Sequence, residues 1–196
     1  MQFGGRRTLL IGGVACACLL VSLYLLRRPE APTDAVAAGP DGTTALHWAV
    51  HYGDLEAAKR LIARHAALDQ VNRYGLAPLH VAAAEGNAQL LKILLDAGAS
   101  VNLPGRNGET SLLMAARKGC GECVKALLAR GADVKVRDKE FEQTALTLAA
   151  WSGSTQSVDL LLRAGADVVV VGNSLENDDN DARLRQMVAA VRQLGL

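Results

Sequence analysis

The sequence predicts an all-α solenoid. Helix-turn-helix units stack in a row, a C-terminal helix caps the row, and one N-terminal transmembrane or signal helix precedes it. Three observations predict this. A short signature recurs in register, with its glycines at Gly42, Gly75 and Gly108, each 33 residues after the last. A second signature follows each copy in phase: Leu94 to Asn102, Leu127 to Val134 and Leu161 to Val168. Lastly, residues 8–26 contain no charge and lie between Arg6-Arg7 and Arg27-Arg28. A fixed period of this size marks stacked supersecondary units rather than one globular core.

In chain order, residues 1–28 come first as a signal anchor or a signal peptide. The 19 residues from Thr8 to Leu26, at about 1.5 Å of rise each, nearly cover the ~30 Å hydrocarbon core. So apolar a helix has nowhere to pack in a soluble solenoid. The run exceeds a usual signal-peptide core, and the Arg pair after it resembles a stop, which favours an uncleaved anchor. Arg6-Arg7-Thr8-Leu9-Leu10 also has the form of a twin-arginine export signal, and Ala35-Val36-Ala37 offers a small-x-small cleavage site. Two basic residues flank each side. The free amino group and the short N-terminal tail favour cytoplasmic retention of the N-terminus, with the repeats outside. Residues 29–40 form a Pro-bounded tether.

Residues 41–171 hold four repeats. They begin Asp41-Gly42-Thr43-Thr44-Ala45-Leu46-His47, Tyr74-Gly75-Leu76-Ala77-Pro78-Leu79-His80, Asn107-Gly108-Glu109-Thr110-Ser111-Leu112-Leu113 and, after one extra residue, Phe141-Glu142-Gln143-Thr144-Ala145-Leu146-Thr147. The loop glycine supplies positive φ. Thr44, Thr110 and Thr144 stand where an N-cap hydroxyl accepts a bond from an orphan amide. An Ala-rich helix runs to Gly53, Gly86, Gly119 or Gly153. A Leu-rich helix runs to Gly98, Gly131 or Gly165 in the left-handed cap position, with His65 in that place in the first unit. One such unit cannot bury its apolar face alone, so neighbours share it.

Residues 172–196 continue as an acidic loop and then a helix. Leu184, Met187, Val188, Val191 and Leu194 fall at helical spacing, opposite Arg183, Arg185 and Arg192. Its expected role is to cover the last unit. A membrane-surface or partner helix is the alternative.

The repeats resemble the ankyrin repeat family. Its T-P-L-H box is matched at Thr44 to His47 and Ala77 to His80, and degraded at Thr110 to Leu113 and Thr144 to Thr147. Its G-A-D-V is present at Gly131 to Val134 and Gly165 to Val168. The resemblance covers roughly residues 40–171. It implies an L-shaped solenoid that binds other macromolecules, without catalysis. It also implies that His47 and His80 tie their own turn to the neighbouring repeat.

Composition agrees with this. Half of the residues are hydrophobic and the net charge is +1. Near-neutrality argues against a nucleic-acid partner, which calls for a basic face. No nucleophile, oxyanion or phosphate-loop pattern stands out, and the glycines follow the repeat period. No cofactor, metal or small-molecule substrate is expected. Cys120-Gly121-Glu122-Cys123 is a C-x-x-C with three readings. Cys123 serves as a small buried apolar residue, the two cysteines form a local disulfide in an oxidising compartment, or they form a redox or metal site. For a metal, two further ligands are missing.

The resemblance places the residues before each mid-repeat Gly on a concave groove: His51 and Tyr52, Glu85, Arg117 and Lys118, and Trp151. Loop tips add Arg73, Tyr74, Arg106 and Phe141. Outside the N-terminal element the aromatics are Trp48, Tyr52, Tyr74, Phe141 and Trp151, and four of them fall on this face. Aromatics and Arg are the types enriched in interface hot spots. The competing reading packs Phe141 and Trp151 against the C-terminal segment. The expected function is a non-catalytic module tethered to the lipid bilayer through residues 8–26, binding an unidentified protein on the periplasmic or external side. One alternative is a cleaved, exported soluble protein acting on a host or competitor protein. A weaker one is a thiol-redox protein using Cys120 and Cys123.

Overall fold

Eight α-helices in four pairs follow one another along residues 39–166, the residues that the computed structural model describes. They are α1 (Ala45–His51), α2 (Leu55–Ala63), α3 (Pro78–Glu85), α4 (Ala88–Asp96), α5 (Ser111–Lys118), α6 (Gly121–Ala129), α7 (Ala145–Ser152) and α8 (Thr155–Arg163). The chain divides into two units, Met1–Ala31 and Pro32–Leu196, and the helices belong to the second. The expected membrane run, residues 29–38 of the tether, residues 167–171 of the fourth repeat, the acidic loop and the capping helix lie outside the described residues. Among those described, no helix is long and apolar enough to cross a membrane.

Each pair packs on the next in register. The first helices stack together, α1 on α3, α3 on α5 and α5 on α7, and so do the second helices, α2 through α8. The buried residues show why. Leu46, Leu79, Leu112 and Leu146 share one phase and are all essentially inaccessible, as are Leu94, Leu127 and Leu161, with Leu61 at 4%. Ala49, Ala82, Ala115 and Ala149 are wholly buried at the closest approach of the first helices, where a larger side chain would hold them apart. Burying one Leu contributes about 1.5–3 kcal/mol, and the same site recurs in every pair.

Local chemistry sets the ends. Thr44 and Thr144 cap α1 and α7, each accepting from the amide three residues on, while the cap's own amide donates to the side chain of His47 or Thr147. Pro78 opens α3, where its missing N–H costs nothing. Thr110 departs from the expectation. It stands at the N-cap of α5 but makes no cap bond, and its buried hydroxyl lacks a partner. Leu113 at the third helical position cannot complete the reciprocal pair that His47 and Thr147 make.

The loops stack as the helices do. Gly75 has φ +71°, and a β-carbon there would stand 2.9 Å from the Arg106 amide nitrogen of the next loop. Both facts call for glycine. His65 adopts φ +59°, the left-handed cap that Gly98 and Gly131 fill in later pairs. The extra residue of the fourth unit is absorbed between Arg137 and Thr144, which form an antiparallel bridge, with Glu142 at φ +54°. Buried Asp138 organises this loop. Its carboxylate accepts from the amides of Glu140 at 3.0 Å and Phe141 at 2.6 Å.

Candidate partner-binding site

The residues named for the groove all reach solvent. His51, Tyr52, Glu85, Arg117, Lys118 and Trp151 sit on the last turns or C-caps of α1, α3, α5 and α7, and all are exposed. Tyr52, Glu85 and Lys118 share one phase, each standing just before Gly53, Gly86 or Gly119. The extra residue of the fourth unit puts Ser152 at that position, before Gly153, and Trp151 at the position of His51 and Arg117. The ladder expected through Trp151 is therefore displaced by one residue at its last rung. Side-chain contacts tie adjacent rungs. His51 Nδ1 lies 3.1 Å from Glu85 Oε1. The Lys118 stem runs against Gly86. Ser152 Oγ donates to the Ala116 carbonyl at 3.1 Å. The rungs are close because the first helices have small residues between them.

The loop tips form separate groups. The Arg73 guanidinium donates to the Tyr74 hydroxyl at 2.7 Å and lies 4.9 Å from its ring centroid. Asn107 donates to Glu140 at 2.9 Å. Phe141 is 68% exposed, the most open of the large apolar side chains among the described residues, and Trp151 is 60% exposed. On this face Arg117 pairs with Glu109, and the His51 ring meets Glu85. Among the described residues Lys118 and Arg106 have no carboxylate partner.

Trp48 belongs with this face although the groove reasoning left it out. It is 38% exposed and stacks on Tyr52 with ring centroids 5.8 Å apart and planes 18° apart. His51 meets both rings. The signal was present in the spacing, since residues four apart share a helix face.

The two histidines that share one repeat phase, His47 and His80, are buried and structural in geometry. Thr44 N–H donates to His47 Nδ1 at 3.1 Å, so the ring proton is on Nε2, which donates to the Leu76 carbonyl at 2.8 Å. His80 repeats this with the Ala77 amide at 3.0 Å and the Leu103 carbonyl at 2.9 Å. Burial pushes both imidazoles below the ordinary value of 6.5, against the opposing pull of the carbonyl bond.

Cys120 and Cys123 are joined in a disulfide across the first turn of α6. Cys123 is wholly buried, as expected of a small core residue. Among the described residues no group of three or more His, Cys, Asp or Glu side chains is arranged to hold a metal ion.

Paired helices stacked at a fixed phase, with conformationally special glycines between them and an exposed mixed face, define a helical repeat protein. The family model described as ankyrin repeats (3 copies) matches residues 14–105 and 99–171, and the chain belongs to the ankyrin repeat family. Ankyrin repeats are protein–protein interaction modules, generally without catalysis. No curated protein matches the chain.

Proposed function

We propose that all four helix pairs are ankyrin repeats, and that they bind one protein partner across the exposed face carrying Tyr52, Glu85, Lys118 and Trp151 and the loop tips beside it. The observation that carries this reading is the recurrence of large exposed aromatics on a stack that, Val71 apart, keeps its large aliphatic side chains buried or partly buried. Trp48, Tyr52, Tyr74, Phe141 and Trp151 all retain more than a third of their accessible surface. Exposed apolar clusters on a soluble surface mark sites that a partner covers. Lys118 and Arg106, which pair with no carboxylate among the described residues, suit acidic groups on that partner.

In this reading residues 8–26 anchor the chain in a bilayer with the repeats on the periplasmic or external side. The Cys120–Cys123 disulfide supports that placement, because disulfides persist in oxidising compartments. A reporter fused after Leu196 that works only in the periplasm should be active. Activity of a cytoplasm-only reporter reverses the orientation.

The binding test is an alanine scan against the partner recovered from membranes. Trp151→Ala and Tyr52→Ala should each weaken binding by about 1–3 kcal/mol with the fold intact. Losses that map instead to the exposed faces of α2, α4, α6 and α8 overturn the groove assignment.

A further inference from the structure

The N-cap of the second helix in each pair falls at one phase: Asp54, Asn87, Cys120 and Ser154. In three pairs an oxygen accepts from the amide three residues on, at 2.8 Å for Asp54, 3.1 Å for Asn87 and 3.3 Å for Ser154. In the third pair a sulfur does so, with Cys123 N–H donating to Cys120 Sγ at 3.2 Å. The position of Cys123 is filled by Ala57, Leu90 and Ser157 in the other pairs, all buried. Neither the cap nor the core therefore calls for sulfur, and the two sulfurs are bonded to each other. They differ in access. Cys120 is half-buried in the turn that follows Lys118, and Cys123 is inaccessible.

We propose that Cys120–Cys123 is a thiol–disulfide exchange centre that accepts a thiolate from outside the chain. This does not rest on the protein-binding reading above. The incoming thiolate attacks Cys120 Sγ, which belongs to the less buried cysteine of the two. A bond forms between the two, the Cys120–Cys123 bond breaks, and its electron pair leaves on Cys123 Sγ, which takes a proton. A second external thiolate attacks the external sulfur of the mixed disulfide and releases Cys120 as a thiolate. Two external thiols are oxidised to a disulfide, and the Cys120–Cys123 pair is reduced.

The fold receives each species. The Cys120 thiolate keeps the Cys123 amide donor and sits at the positive end of α6, which favours the anion. The nearby charges are Glu122 on α6, Lys118 on α5 and Lys92 on α4. Glu122 is engaged by Lys92 at 3.8 Å and by Gln156 of α8 at 3.2 Å. The Lys118 stem and the Cys120 β-carbon both lie against Gly86. When protonated, Cys120 has the Gly86 carbonyl 3.5 Å from its sulfur as an acceptor. Stabilising the reduced form makes such a pair an oxidant of other thiols.

The test uses the full chain with Cys16→Ala and Cys18→Ala, leaving Cys120 and Cys123 as its only cysteines. The protein is equilibrated in glutathione buffers of graded ratio, quenched with acid and alkylated, with helicity followed by circular dichroism. The pair should pass reversibly between disulfide and dithiol while helicity stays constant. With Cys123→Ala added, Cys120 should trap a glutathione mixed disulfide. With Cys120→Ala added instead, Cys123 should trap none in the same time. A disulfide that exchanges only after the chain is unfolded in urea overturns the proposal, as does equal trapping at both sulfurs. The Cys123→Ala chain isolated from cells without reductant separates the two thiol sources. A covalent complex with another chain identifies a protein cysteine, an adduct of small mass identifies a low-molecular-weight thiol, and a bare Cys120 thiol overturns the exchange role.

Discussion

The first two helix pairs and the last two share a core but not a way of joining to the next loop. In the first two, His47 and His80 reach across to the Leu76 and Leu103 carbonyls, 29 and 23 residues on. In the third, Leu113 fills the same buried position and leaves the Thr110 hydroxyl unpaired. In the fourth, Thr147 turns back on its own loop. Its hydroxyl donates to the Thr144 carbonyl at 2.9 Å and accepts from the Thr144 amide at 2.8 Å. The comparison teaches that the repeat's apolar phase is enough to stack a unit. The histidine adds a polar tie between units, and with it a dependence on pH.

The largest effect should separate the two halves directly. His80→Ala should cost about 2–4 kcal/mol, because it opens a cavity and strands the Ala77 amide and Leu103 carbonyl. Thr147→Ala, whose bonds are local, should cost about 1 kcal/mol. Urea midpoints of the two variants measure the gap, and equal losses remove the distinction.

Next comes pH. Both histidines are held below 6.5 in the folded chain, chiefly by desolvation. The unfolded chain therefore takes up protons first as pH falls. Stability should be full above about 6.5 and decline as pH drops from there towards the lower folded values. His47→Leu/His80→Leu should flatten this decline between pH 7 and 5 while lowering stability at pH 7. An unchanged slope assigns the pH dependence to other groups.

A smaller effect runs the other way. Leu113→His should supply a partner for the Thr110 hydroxyl and make the third unit resemble the first two, a gain of about 0.5–1 kcal/mol. A lower melting temperature shows that the imidazole lacks an acceptor across the junction. The smallest effect is His65→Gly. The left-handed φ of +59° at His65 costs a side-chain residue more than glycine, so relief should stabilise by roughly 0.5 kcal/mol net of unfolded-state entropy. A drop in the denaturant midpoint reveals a contact made by the imidazole.

Much of this architecture was legible in the sequence because it is periodic. Gly42, Gly75 and Gly108 announced the loops, and all three adopt positive φ. The ring geometry of His47 and His80 follows what the family resemblance implied. The candidate face was only partly legible. Its exposed residues were named by phase. The stacking of Trp48 on Tyr52, which brings Trp48 onto that face, needed the helix to be built.

By itself the sequence determined the helical repeat, the positions of its breaks and the apolar phase, since each follows from local backbone preference or from a period that one residue type repeats. Only the tertiary structure decided which cross-unit bonds form. A hydrogen bond between His47 and Leu76, or the unpaired hydroxyl of Thr110, depends on groups in different loops meeting within 3 Å or failing to. The same holds for the environment of Cys120: its cap bond to the Cys123 amide is local, but the Gly86 carbonyl 3.5 Å from its sulfur comes from the neighbouring pair.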